Sequence, residues 1–152
     1  MECDLTDVAT VLGCTVQGAA PITGWSVDSR TVQGGDLFFA LRGPNHDGNA
    51  YVDEALRKGA VAAIANRASA GRVLVVPDTL AALHKLAAWA RGQWGGEVVG
   101  VTGSAGKTST KDVIAAMLAQ KMPVGKTIGN FNNHVGVPLS IPLSRCQLNF
   151  TW

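Results

Sequence analysis

The feature that most constrains this chain lies past its middle. An apolar run from Glu97 to Thr102 enters a glycine turn, Gly103-Ser104-Ala105-Gly106-Lys107-Thr108-Ser109, and a helical pattern follows from Lys107 to Gln120. Strand, glycine loop and helix in that order gather backbone N–H groups and the positive end of a helix dipole around one point, a cradle for anionic oxygens. That context belongs to an α/β fold. Lys107 stands where an ammonium reaches β- and γ-phosphates, and the Thr108 hydroxyl stands where it ligates Mg²⁺. The spacing, Gly103-x-x-Gly106-Lys107-Thr108, is shorter than the usual phosphate-loop pattern, since Val101 occupies the place of the first glycine. A plain glycine turn into an ordinary helix with a surface lysine is the alternative, and the well-marked strand and helix argue against it.

The segments before the loop also read as α/β. Residues 4–13 predict a short helix with Leu5, Val8, Ala9 and Leu12 on one face and Gly13 as its stop. Gly34-Gly35-Asp36 is a turn leading into a buried strand over Leu37 to Leu41, followed by a polar loop from Arg42 to Gly48. A helix is expected from Ala50 to Lys58 with Tyr51, Ala55 and Leu56 inward. Val61 to Ala65 and Val73 to Val76 are β-branched or small apolar runs, the second stopped by Pro77. Asp78 or Thr79 then caps a helix running to about Trp94, with Leu83, Leu86, Ala87 and Ala90 buried. The reading is a small N-terminal α/β domain over 1–78, followed by the start of a parallel-sheet, phosphate-loop domain over 79–152.

Composition narrows the function classes. A formal net charge of +2 carries no basic footprint for nucleic acid or a membrane surface. The N-terminus lacks a basic region followed by an apolar run, and no segment approaches the ~20 apolar residues that cross a bilayer. Cys3, Cys14 and Cys146 have neither metal-ligand nor C-x-x-C spacing, so free thiols in a reducing, cytoplasmic compartment are expected. His46 and His84 read as solvated, and Trp25, Trp89 and Trp94 as packing residues. Lys111 and Asp112 read as surface charges.

Two further constellations stand out. Asp28-Ser29-Arg30 offers a guanidinium for bidentate phosphate binding, or else a local salt bridge. Gly129-Asn-Phe-Asn-Asn-His-Val-Gly-Val-Pro138 is an asparagine-rich loop whose amides either bind ligand or fix turns, with His134 inside it. Taken in order with Gly35-Asp36-Leu37-Phe38-Phe39-Ala40-Leu41-x-Gly43, Asp47-Gly48, Gly59-Ala60 and the phosphate loop, these segments resemble the Mur ligases over residues 25–141. The asparagine loop looks like the branch that adds D-Ala-D-Ala. The Thr-Thr-Pro segment of the branch adding the third amino acid is absent.

The resemblance implies an ATP-dependent ligase of peptidoglycan precursor synthesis, with UDP-MurNAc-tripeptide and D-Ala-D-Ala as substrates, ATP and Mg²⁺ as cofactors, and a monomeric full-length protein. Residues 103–109 would hold ATP, with Lys107 catalytic and Thr108 on the metal. Ser29, Arg30, Asp47, Gly48 and Asn49 would hold the UDP end. Asn130, Asn132 and Asn133 would line the cleft. The family usually has His where Asn49 stands. Its pattern stops after Pro142, so the chain is expected to be an N-terminal portion that is inactive alone, with bare apolar surface. A ligase adding the third amino acid and a non-catalytic UDP-muramoyl-peptide-binding module are the alternatives. A small kinase or GTPase lacks support, because no Asn-Lys-x-Asp and no lid arginines are visible.

Overall fold

The computed structural model describes residues 3–43, 46–93 and 96–127. In chain order the elements are β1 (Cys3–Asp4), α1 (Leu5–Leu12), β2 (Pro21–Ile22), β3 (Gly24–Ser26), β4 (Asp36–Phe39), β5 (Arg42–Gly43) and β6 (His46–Asp47). A 3₁₀ turn (Gly48–Tyr51) leads into α2 (Val52–Arg57), then β7 (Ala62–Ala65), β8 (Val73–Val75), α3 (Thr79–Gln93) and α4 (Lys107–Leu118). The asparagine loop with Asn130, Asn132, Asn133 and His134 lies outside the described residues, as do Trp94 and Cys146.

Four strands form a parallel sheet in the order β3-β4-β7-β8. Parallel strands need crossover connections that cover both faces, so their residues must be apolar on both sides. β4 meets that demand. Leu37 and Phe39 face one side, where Trp25, Ile64 and Leu74 join Leu5 and Val8 of α1 and Leu83 and Leu86 of α3. Phe38 and Ala40 face the other, where Ala63 and Ala65 meet Val52 and Ala55 of α2. The small side chains of β7 on that face let the six-residue α2 sit close. Trp25 stacks on Phe39 with ring centroids 5.4 Å apart, the packing role its composition suggested.

The N-terminal helix begins and ends as its sequence dictates. Asp4 accepts from the Thr6 N–H at 2.8 Å while the Asp7 carboxylate accepts from the Asp4 N–H, a capping box, and Gly13 closes the helix in the left-handed region. Asp78 caps α3 through the N–H groups of Leu80 and Ala81. Buried Thr79 donates its hydroxyl to the Ala40 carbonyl at 3.1 Å, which fixes the start of α3 to the end of β4. Through Ala82, Leu83 and Leu86 the helix shares the core of the N-terminal sheet.

Three local expectations change. Tyr51 is 43% exposed, and Val52 takes the buried position instead. The 3₁₀ turn over 48–51 advances by about three residues per turn, which rotates the helical face by one position. The segment from Glu97 to Thr102 forms no strand among the described residues, and Val98 and Val99 are exposed. Strand character in sequence becomes a strand only where a neighbour supplies hydrogen bonds. Third, the loop from Arg42 contains a minimal antiparallel pair, Arg42 opposite Asp47 and Gly43 opposite His46. The exposed apolar surface expected of the second unit is present on α4, at Val113, Met117 and Leu118.

Because α3 is built into the core and α4 is not, Leu83→Ala is expected to destabilise the chain by about 2–5 kcal/mol. Val113→Ala should cost less than about 0.5 kcal/mol. Urea unfolding monitored by circular dichroism measures both.

Candidate functional site

In an open parallel sheet the carboxyl ends of the strands are where loops converge and ligands bind. Here that edge collects Asp28, Ser29 and Arg30 after β3, Arg42, Gly43 and residues 46–49 after β4, Asn66 and Arg67 after β7, and Asp78 and Thr79 after β8. Two of the groups predicted from sequence, 28–30 and 47–49, therefore come to the same edge. The phosphate loop at 103–109 is a separate feature at the head of α4.

Asp28 organises the first group. Its carboxylate accepts the Arg30 N–H at 2.9 Å, Arg30 Nε at 2.9 Å and Arg30 Nη2 at 2.6 Å, so the guanidinium folds back onto its own turn. The side-chain bond from Arg30, and after it the Arg30 backbone N–H, holds the Asp28 carboxyl down at about 2. Arg30 is still largely exposed, and its charge is held up by the same pair. Ser29 is buried. Its hydroxyl donates to Glu54 Oε2 at 3.2 Å, and Lys58 Nζ donates to the Ser29 carbonyl at 2.9 Å and to Glu54 Oε1 at 2.7 Å. Glu54 and Lys58 thus position the serine, a role no motif announced because they lie 25 and 29 residues along the chain.

The second group is set by one close approach. Gly48 lies so near the end of β4 that a Cβ there would sit 2.6 Å from the Ala40 carbonyl carbon and from the Leu41 oxygen. Both are backbone, so neither can yield, and only glycine fits. The Gly48 N–H donates to that Leu41 oxygen at 2.9 Å. Asp47 accepts from the Asn49 N–H at 3.0 Å and from Asn49 Nδ2 at 2.6 Å, which lowers its carboxyl below the usual aspartate range. Asn49 has its amide committed: Oδ1 accepts the Asn66 N–H at 3.0 Å. Asn66 in turn donates from Nδ2 to the carbonyls of Val76 and Pro77 at 3.1 and 2.8 Å. Asn66 was not singled out from sequence, since a contact across 17 residues leaves no local pattern.

At the phosphate loop, Gly106 caps α4 in the left-handed region with φ of 76°, a conformation that a side chain rarely adopts. No side chain caps the helix, so its first-turn N–H groups are left for another acceptor. Lys107 Nζ donates back to the Gly103 carbonyl at 2.6 Å, bringing the ammonium across the loop. Ser104, Ala105, Thr108 and Ser109 are exposed around it. A cationic bridge over open amides suits a polyphosphate. The Thr108 hydroxyl, exposed at the first turn, suits one oxygen position on a Mg²⁺ whose other partners are phosphate and water. No group of three or more His, Cys, Asp or Glu that could hold a metal occurs among the described residues.

Lys111 departs from the surface-charge expectation, while Asp112, its side chain 43% exposed, is a surface charge. Lys111 donates to the Thr127 carbonyl at 2.5 Å with its side chain only 17% exposed, and Asp112 pairs with Lys126 at 2.9 Å. The pair ties α4 to the segment that leads toward residue 128.

Residues 101–146 match the model of the Mur ligase middle domain. The match over residues 101–146, together with the relatives below, makes the Mur ligases the class this chain is similar to. Within that class it is similar to UDP-N-acetylmuramoyl-tripeptide–D-alanyl-D-alanine ligases. It is 43% identical over 119 residues to that enzyme of Synechocystis sp., covering 75% of this chain and 26% of the relative. The crystal structure of MurF ligase from Thermotoga maritima in complex with ADP superposes with a TM-score of 0.69 and 44% identity, over 78% of this chain and 28% of that one. The D-alanyl-D-alanyl ligase structure from Acinetobacter baumannii gives a TM-score of 0.83 at 30% identity, over 99% of this chain and 35% of that one. The chain therefore spans about a quarter to a third of the length of these relatives.

The Asp28–Arg30 clamp has a pH signature. The carboxyl is lowered on folding, so its stabilisation is present above the unfolded value of 3.8 and is lost as pH falls toward about 2. The Asp28 carboxyl carbon resonance is expected to titrate near 2. In Arg30→Ala the midpoint should rise part of the way to the ordinary range, since the backbone N–H remains.

Proposed function

We propose that the chain is the N-terminal part of an ATP-dependent carboxylate–amine ligase that adds D-Ala-D-Ala to UDP-MurNAc-tripeptide in cytoplasmic peptidoglycan precursor synthesis. The observation that carries this reading is the loop 103–109 at the head of α4, with Lys107 over open amides, in a chain whose relatives bear that enzyme's name. The sheet edge with Ser29, Arg30, Asp47 and Gly48 supports a site for the uridine nucleotide end of the substrate. Asn130, Asn132 and Asn133 are assigned to the cleft between nucleotide and muramoyl group on the family pattern alone.

In the proposed reaction the terminal carboxylate of the tripeptide attacks the γ-phosphorus of ATP, forming an acyl phosphate and releasing ADP. The D-Ala-D-Ala amine then attacks the acyl carbon, forming the amide, expelling phosphate and losing a proton to solvent. Lys107 and the loop amides would hold the phosphates and offset the charge that spreads over the transferring group. Mg²⁺, held in part by Thr108, would neutralise the phosphate oxygens. The ordinary pattern for this chemistry is positioning by parts that close around both substrates. The relatives named for it are about three times as long as this chain, and the 152-residue stretch alone is proposed to be inactive. The sequence similarity favours this branch over the one adding the third amino acid.

Calorimetric titration of the folded chain tests the reading. UDP-MurNAc-tripeptide should bind saturably, and Arg30→Ala should weaken it by about tenfold, the loss of a charge-assisted hydrogen bond. Mg-ATP should bind to the intact chain and not to Lys107→Ala. Absence of both ligands from a folded chain would refute the reading, and D-Ala-D-Ala-dependent ADP release by the 152-residue stretch would refute its inactivity.

A further inference from the structure

Two arginines at the sheet edge have no place in the motifs. Arg42, in β5, and Arg67, just after β7, approach the two oxygens of a single carboxylate from different sides: Arg42 Nε lies 3.9 Å from Asp47 Oδ1 and Arg67 Nη2 lies 3.9 Å from Asp47 Oδ2. Both separations are too long for hydrogen bonds. Asp47 already spends Oδ1 on the Asn49 N–H and Nδ2 groups. Two guanidiniums against one carboxylate leave one positive charge over. Their side chains are 68% and 66% exposed, so their donors face water.

Their placement is specified by the fold. Arg42 is fixed opposite Asp47 by the β5–β6 register. Arg67 follows Asn66, whose N–H is held by Asn49 and whose amide is held by the Val76 and Pro77 carbonyls. The Asn49–Asn66 latch therefore brings Arg67 to the same carboxylate as Arg42. An arrangement that keeps two planar, five-donor cations near each other without satisfying either is suited to a bridging tetrahedral anion.

We propose that Arg42 and Arg67 form a bay for a phosphate group of the nucleotide substrate, with Asp47 as the spacer that holds them apart and Asn49–Asn66 as the latch that positions them. The proposal rests on the reading of this edge as a uridine-nucleotide site and adds two specificity residues to it. A phosphate oxygen pair placed between the guanidiniums would replace the two long contacts to Asp47 with short charge-assisted hydrogen bonds. Asn49 then acts through the latch, not by touching ligand.

The test compares UDP, uridine and inorganic pyrophosphate by calorimetry on the full 152-residue chain, with Arg42→Ala, Arg67→Ala and Arg67→Lys. Both arginines are two-thirds exposed, and circular dichroism checks that each variant folds. UDP is expected to bind at least tenfold more tightly than uridine. Each alanine variant should weaken UDP by about tenfold or more and leave uridine unchanged, and Arg67→Lys should fall between. Raising the salt concentration should weaken UDP binding less in the variants than in the parent chain. UDP binding that neither alanine variant weakens would overturn the bay and leave the nucleotide-site reading standing. Pyrophosphate binding that requires both arginines, in a chain that binds neither UDP nor uridine, would support the bay and overturn that reading. Failure of all three ligands to bind the folded chain would overturn both.

Discussion

Everything described here depends on β4 being buried on both faces. Leu37 and Phe39 anchor the layer formed with α1 and α3, and Phe38 and Ala40 anchor the layer with α2. Because the strand is central, its carboxyl end is pinned by both layers. Gly48 returns against Ala40 and Leu41, and Thr79 bonds the Ala40 carbonyl from the start of α3. This edge of the sheet is thus an extension of the core, held by contacts with backbone atoms that have little freedom to move.

The edge itself is a set of paired charges left incompletely satisfied to different degrees. Asp28 and Arg30 are closely paired, as are Glu54 and Lys58. Such exposed pairs contribute little to stability because solvent screens them. Their value lies in geometry: Glu54 and Lys58 hold Ser29 from both its hydroxyl and its carbonyl. Arg42 and Arg67, by contrast, stand off from Asp47 at a distance that fixes direction without consuming donors. The difference separates charges spent on neighbouring groups from charges whose donors still face water.

The phosphate loop belongs to a different kind of structure. Its cradle is local, made by Gly106 in the left-handed region and by Lys107 reaching back to Gly103, and it forms although the segment before it has no strand partner among the described residues. A turn of seven residues needs only its own backbone and a helix to follow. A strand needs another strand, which is why Val98 and Val99 stay exposed while the loop is already shaped.

The sequence by itself determined what short-range chemistry controls. Asp4 and Gly13 bounded α1, Asp78 started α3, Leu37 to Phe39 formed a buried strand, and Gly103 to Ser109 formed the loop, because caps, turns and periodicity act within a few residues. It also made the Asp28–Arg30 salt bridge one of two open readings. The tertiary structure decided what depends on distant partners. Tyr51 turned outward when a 3₁₀ turn shifted the phase of α2, and α3 joined the N-terminal core through Leu83 and Leu86. Asn49 found Asn66 across 17 residues, and Arg42 and Arg67 met at Asp47. No local pattern encodes such meetings, because they arise only when parallel strands bring remote loops to one end of a sheet.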